Sequence, residues 1–220
     1  MNNRLRIGID FDNTIVDYDR VFHAAAVEAG WIGDGDFPTE MSKRQLRDTI
    51  RSLPDGETKW QTLQARVYGP MMREARFTPG AEAFFRRCKD EGADVFVVSH
   101  KTKYATLDQE GVNLREAASA WMAKQGLYEE DRYGIPKQHV FFEATRDAKV
   151  RRISELGCTH FIDDLVEVFA HPGFPDDVHR YLYAPDGGPE SESGGPGSRG
   201  ADCPAYRSWE MIADAVFSAG

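Results

Sequence analysis

Several short apolar runs along the chain end in polar residues: Leu5 to Ile9 before Asp10, "ADVFVVSH" closing on Ser99 and His100, "HVFFEA" closing near Glu143, and "CTHFIDD" closing on Asp163 and Asp164. Runs of this length predict buried strands. "HRYLYAP" offers a fifth. Between the runs lie patterns with helical spacing: "GAEAFFRRCKDEG", "NLREAASAWMAKQG" and "TRDAKVRRISELG". Gly92 and Gly157 close the first and last of these, where the turn after a helix favours a left-handed residue. Strand and helix alternate. The pattern predicts an α/β fold with a doubly wound, mostly parallel, Rossmann-like sheet covered by helices on both faces.

Two stretches depart from the alternation. Residues 18–77 hold no convincing strand, only helical patterns such as "DRVFHAAAVEAG", "SKRQLRDTIRSL" and "TKWQTLQARVYGPMMREA", broken by the turn-rich "GDGDFPTE" and "LPDGE". That is too long for a simple crossover, so it reads as a small helical cap inserted after the first strand. Residues 185–205 are dense in Gly, Pro and Ser and are expected to be a flexible segment. The amphipathic "SWEMIADAVFSA" predicts a closing helix within 206–220. The α/β core is then 1–17 with 78–184.

Composition narrows the possibilities. With 220 residues, 41% hydrophobic and 29% charged, the chain can bury one good core and a small second lobe. A net charge of −9 disfavours a nucleic-acid backbone or an anionic membrane as the main partner. No apolar stretch approaches a membrane span and no signal-peptide core opens the chain, so a cytoplasmic location is expected. Cys88, Cys158 and Cys203 lack metal-type or redox-type spacing and read as free thiols.

Ligands of open α/β sheets bind beyond the carboxyl ends of the strands, where Asp10, Asp12, Asp163 and Asp164 are expected to converge. Carboxylates so crowded repel one another unless a cation neutralises them. A hard divalent ion with oxygen ligands answers this, and magnesium suits it best because it is held by one or two carboxylates, water and phosphate oxygens.

The combination of "DFDNT" (Asp10, Asp12, Thr14), Ser99 at the end of "VFVVS", a lysine before the last strand, and "FIDD" (Asp163, Asp164) resembles the haloacid dehalogenase superfamily of phosphohydrolases. The resemblance implies an aspartyl-phosphate mechanism. Asp10 would be the nucleophile, and Asp12 the acid that protonates the leaving oxygen and the base that then activates water. Asp10, Asp12 (through its main-chain carbonyl), Asp163 and Asp164 would hold the magnesium ion. Thr14 and Ser99 would bind the phosphate side, and Lys149 or Lys137 would neutralise it, with Lys149 favoured on the helix feeding the last strand. Glu167 could hold a metal-bound water.

Taken singly these residues mean less: an aspartate pair is more often a turn or helix cap than a metal site. His23, His139, His160, His171 and His179 read as packing or surface residues, whereas His100 and Lys101 follow Ser99 and are possible phosphate or leaving-group contacts. Asp12 favours phosphate esters over dehalogenation. The expected activity is a magnesium-dependent phosphatase for a small phosphorylated metabolite, a sugar phosphate or nucleoside monophosphate. The alternatives are a phosphomutase or a non-catalytic module of the same fold. In the lobe, Trp60, Arg66, Tyr68, Arg73 and Arg76 could reach a leaving group, but Trp60, Leu63 and Val67 fall at core spacing.

Overall fold

The expected strands fold into one parallel sheet because each is apolar on both faces and needs cover on both. A computed structural model describes residues 4–33, 42–107, 111–187 and 203–218. The strands are β1 (Arg6–Ile9), β2 (Val16–Asp17), β3 (Arg76–Phe77), β4 (Asp94–His100), β5 (Val140–Glu143), β6 (His160–Asp163), β7 (His179–Tyr183) and β8 (Ala205–Tyr206). Six of them form a sheet in the order β5-β4-β1-β6-β7-β8, every neighbouring pair parallel, and β2 pairs with β3 in a separate two-stranded sheet. β1 is central, with Ile9 opposite Val97 on one side and Ile162 on the other. Gly8 is required there: a Cβ would lie 2.5 Å from the Phe161 ring.

The chain forms two compact units, one of residues 1–15, 77–101 and 126–220, the other of residues 16–76 and 102–125. The sheet unit carries helices α4 (Ala81–Asp90), α6 (Arg146–Glu155), α7 (Val166–Phe169) and α8 (Trp209–Phe217). Alternation along β4 sends Phe96 and Val98 into a cluster with Val150 and Ile153 of α6 and with Phe161, Phe169 and Phe174. Trp209 of α8 packs on Phe84 of α4 and Tyr183 of β7. Gly92 and Gly157 take positive φ, as the helix-end pattern predicts.

The second unit holds α1 (Asp19–Glu28), α2 (Lys43–Arg51), α3 (Gly56–Tyr68) and α5 (Leu114–Lys124). Its core is aromatic. Phe22 stacks on Trp60 with ring centres 4.9 Å apart, and Tyr18 and Tyr68 meet edge to face at 5.0 Å. Trp60, Leu63 and Val67 are buried together. Arg66 pairs with Glu28, and Tyr68 accepts a hydrogen bond from Lys43 Nζ at 2.6 Å. Arg73 and Arg76 are exposed.

The grouping differs from the sequence reading at one helix. Residues 102–125 fall within the span read as core, yet α5 belongs with the inserted helices. The reason is Trp121, which is buried and donates its indole hydrogen to the Ala75 carbonyl at 2.9 Å. β2, β3 and β8 are too short to show a period in sequence. Of the Gly/Pro/Ser-rich segment, 188–202 lie outside the described residues. The closing helix forms as expected, its Ser208 cap accepting from the Met211 amide.

Candidate active site

Every residue of the expected constellation belongs to the sheet unit, and most lie at strand ends. The Asp10 amide donates to the Ile162 carbonyl at 2.9 Å, which extends the pairing with β6 and fixes the backbone. Beyond it the chain turns sharply. Asn13 adopts a φ of 61°, a left-handed conformation that asparagine tolerates better than most side chains, and the Ile15 amide closes the turn on the Phe11 carbonyl. Thr14 is buried and donates to Asp164 Oδ1 at 3.3 Å, while Asn13 Nδ2 donates to Asp164 Oδ2 at 3.4 Å. From below, Thr78 Oγ1 donates to the Thr14 carbonyl at 2.7 Å and accepts from the Trp209 indole at 2.8 Å.

Lys149 reaches the cluster because α6 turns one face to the sheet. Thr145 caps the helix by accepting from the Ala148 amide, and Lys149 is buried on the same side as Val150 and Ile153. Its ammonium lies 2.5 Å from Asp10 Oδ1 and 2.6 Å from Asp163 Oδ2. Burial alone would lower the Lys149 pKa, but the two carboxylates outweigh it and push it up. Asp163 is fully buried, which raises its pKa, and Asp10 raises it further; Lys149 opposes both, and the carboxyl titrates at about 7. Its Oδ1 accepts from the Leu165 amide, whereas Oδ2 makes a close ion contact without a directed hydrogen bond.

One carboxylate oxygen each from Asp10, Asp163 and Asp164 lie within 4.8 Å of one another, a spacing suited to a single cation. The Asp12 carboxylate is engaged elsewhere, with Lys101 Nζ at 2.9 and 3.0 Å from its two oxygens. Four carboxylates against two ammoniums leave a surplus of negative charge that a divalent ion would balance. The incompletely satisfied Asp163 Oδ2 fits the same ion.

The other expected residues divide. Ser99 is buried at the end of β4, in register with Phe142. His100 is exposed, and its Nε2 lies 3.1 Å from the Ala144 carbonyl oxygen, outside this hydrogen-bonded cluster. The physical reason is the strand's period of two, which turns the residue after Ser99 to the opposite face. Lys137 lies over the Tyr128 ring, so of the two candidate lysines the structure brings Lys149 to Asp10. Glu167 is exposed on α7. Asn13, Thr78 and Trp209 were not singled out by sequence; only the turn preference of Asn13 offered a signal.

No family model matches the sequence, and no curated protein matches it. Solved structures do share its fold. A HAD family hydrolase from Deinococcus radiodurans R1, with bound phosphate and sodium, is 15% identical with a TM-score of 0.57, over 99% of this chain and 96% of that one. A HAD-superfamily hydrolase from Ehrlichia chaffeensis is 11% identical with a TM-score of 0.53, covering 99% and 98%. A dehalogenase with an intermediate complex is 13% identical with a TM-score of 0.54, covering 98% of each chain. The chain has the fold of the haloacid dehalogenase-like hydrolases.

Proposed function

Starting from that fold, we propose that the protein is a magnesium-dependent phosphatase acting on a small phosphorylated metabolite, of the sugar phosphate or nucleoside monophosphate class, by way of an aspartyl-phosphate. The observation that carries the reading is the buried Lys149 ammonium bridging Asp10 and Asp163, with a second carboxylate, Asp12, two residues beyond Asp10. Phosphoryl transfer needs a nucleophile, a proton donor and acceptor, and dispersed positive charge, and these residues supply one of each.

With Asp10 Oδ1 held by Lys149, attack on phosphorus falls to Oδ2. Asp12 gives a proton to the leaving oxygen as the ester bond breaks. It then takes a proton from the water that attacks the aspartyl-phosphate, releasing phosphate and restoring Asp10. Ser99 orients a phosphoryl oxygen, Lys149 offsets the phosphoryl charge, and Thr14, buried with its hydroxyl donated to Asp164, holds the nucleophile's loop rather than the phosphate. Asp10, Asp163, Asp164 and the Asp12 carbonyl would hold the magnesium ion, whose chemistry is to screen the carboxylates from an incoming phosphate dianion. His100 has no part in this reading.

The Deinococcus relative's bound phosphate agrees with a phosphate ester as substrate, whereas the dehalogenase relative raises a carbon–halogen bond as the rival. Asp12 supports phosphate, because an ester leaving group, unlike a halide, needs a proton donor. A panel of phosphorylated metabolites and 2-haloacids, assayed with magnesium and with chelator, tests this. Phosphate release that chelator abolishes and magnesium restores is expected. Halide release, or full phosphatase rates in excess chelator, would overturn it.

A further inference from the structure

Lys101 follows β4 directly, and its amide donates to the Glu143 carbonyl at 2.9 Å, continuing the pairing with β5. Alternation returns it to the side of Ser99: Ser99 and Lys101 are buried, and His100 between them is exposed. The Lys101 side chain is only 3% exposed, and its ammonium also lies 5.6 Å from the centre of the Phe11 ring. Taking an ammonium out of water is costly, and immobilising a long lysine side chain adds a loss of rotamer entropy. An incidental pair would not sustain that.

The partner does not need rescue from burial. The Asp12 side chain is 20% exposed and would be hydrated without Lys101. What the contact does is geometric. One ammonium near-equidistant from both carboxylate oxygens fixes both side-chain torsions of Asp12.

We propose that Lys101 is a positioning residue that acts through Asp12, holding that carboxyl where the leaving oxygen and the attacking water exchange protons with it, and that it does not grip the phosphoryl group. This rests on the phosphatase reading of Asp12. It gives the site two lysines with separate duties: Lys149 serves the nucleophile and Lys101 serves the proton carrier. A carboxyl misplaced by an ångström loses much of its effect on rate, so the second lysine bears on kcat.

The test uses p-nitrophenyl phosphate with magnesium, inorganic phosphate as competitive inhibitor, and melting temperatures on every variant. Lys101→Met, neutral and of similar length, should lose about 10²-fold in kcat, the low end of what proton transfer contributes. KM and the phosphate inhibition constant should stay within about twofold, because phosphate contacts are untouched. In an Asp12→Asn background the same substitution should have no further effect, as expected of a residue acting through its partner. Lys101→Arg keeps the cation and should restore part of the rate; if Lys101→Met fails to fold, Lys101→Arg is judged by the same three readings.

Weaker phosphate inhibition in step with KM would overturn the proposal in favour of a phosphate contact. Additive losses in the double variant would overturn it too, as would an unchanged kcat in a variant that only melts earlier. A wild type inert toward all phosphate esters overturns the phosphatase reading and this inference together. An active wild type with an indifferent Lys101→Met overturns this inference alone.

Discussion

The two units of the chain bury different things. In the helical unit the described buried residues are hydrophobic or aromatic: Phe22, Trp60, Leu63, Val67 and Trp121 form a core that burial alone stabilises. In the sheet unit Asp10, Thr14, Thr78, Ser99, Lys101, Lys149, His160 and Asp163 are buried as well, and four of these are paired charges. Buried ion pairs contribute little net stability against a hydrophobic replacement, so the sheet unit gives up stability to keep its constellation. The difference separates residues that hold the chain together from residues proposed to do chemistry.

The largest effect is expected at Asp10. Asp10→Asn keeps the shape and removes one of the crowded carboxylates, so turnover of p-nitrophenyl phosphate should fall by on the order of 10⁴-fold or more while the melting temperature holds or rises. Measurable activity near the wild-type rate would break the comparison on the chemical side. Trp60→Ala inverts the pattern. Removing a buried aromatic ring should cost about 3–5 kcal/mol in denaturant unfolding, while kcat per folded molecule on the same small ester stays near wild type. A Trp60 variant with intact stability and lost turnover would mean that the helical unit's core is not merely a core.

The smallest effect sharpens the contrast by pH. Without a bound ion, burial above all pushes the Asp163 carboxyl up to about 7 from an ordinary 3.8. Between those values the native state keeps a proton that the unfolded chain has lost, so this group's stabilising contribution, complete below the lower value, is lost as pH rises through the upper one. Magnesium at about 100 times its dissociation constant should add about 2.7 kcal/mol. Because the ion competes with the Asp163 proton, the rise in melting temperature should be greater at pH 8 than at pH 5.5. Equal shifts at both values would remove Asp163 from the metal group.

Much of this arrangement was legible beforehand. The strand ends could be read because apolar runs that stop at Asp10, Ser99 and Asp163 leave few places for those residues except the carboxyl edge of a parallel sheet. Lys149 was legible through its helix, whose other inward positions are Val150 and Ile153. His100 and Lys101 were weighed together because they adjoin Ser99, although a strand separates neighbours and unites alternate residues. Trp121 was readable as a buried helix position but not as belonging to the helical unit, since an amphipathic face declares that it needs a partner without naming one. Thr78 and Trp209 were invisible because their role rests on hydrogen bonds that span 64 and 131 residues.

Those last two bonds carry a consequence for how the protein is made. The loop of Asp10 to Thr14 is synthesised well before α8, yet its underside is secured through Thr78 by an indole on that helix. Contacts so distant in sequence form late, after the intervening sheet has assembled. A nascent chain, or one cut short before Trp209, thus carries Asp10 and Asp12 on a loop not yet fastened, and the loop is secured only once α8 has been made and has packed.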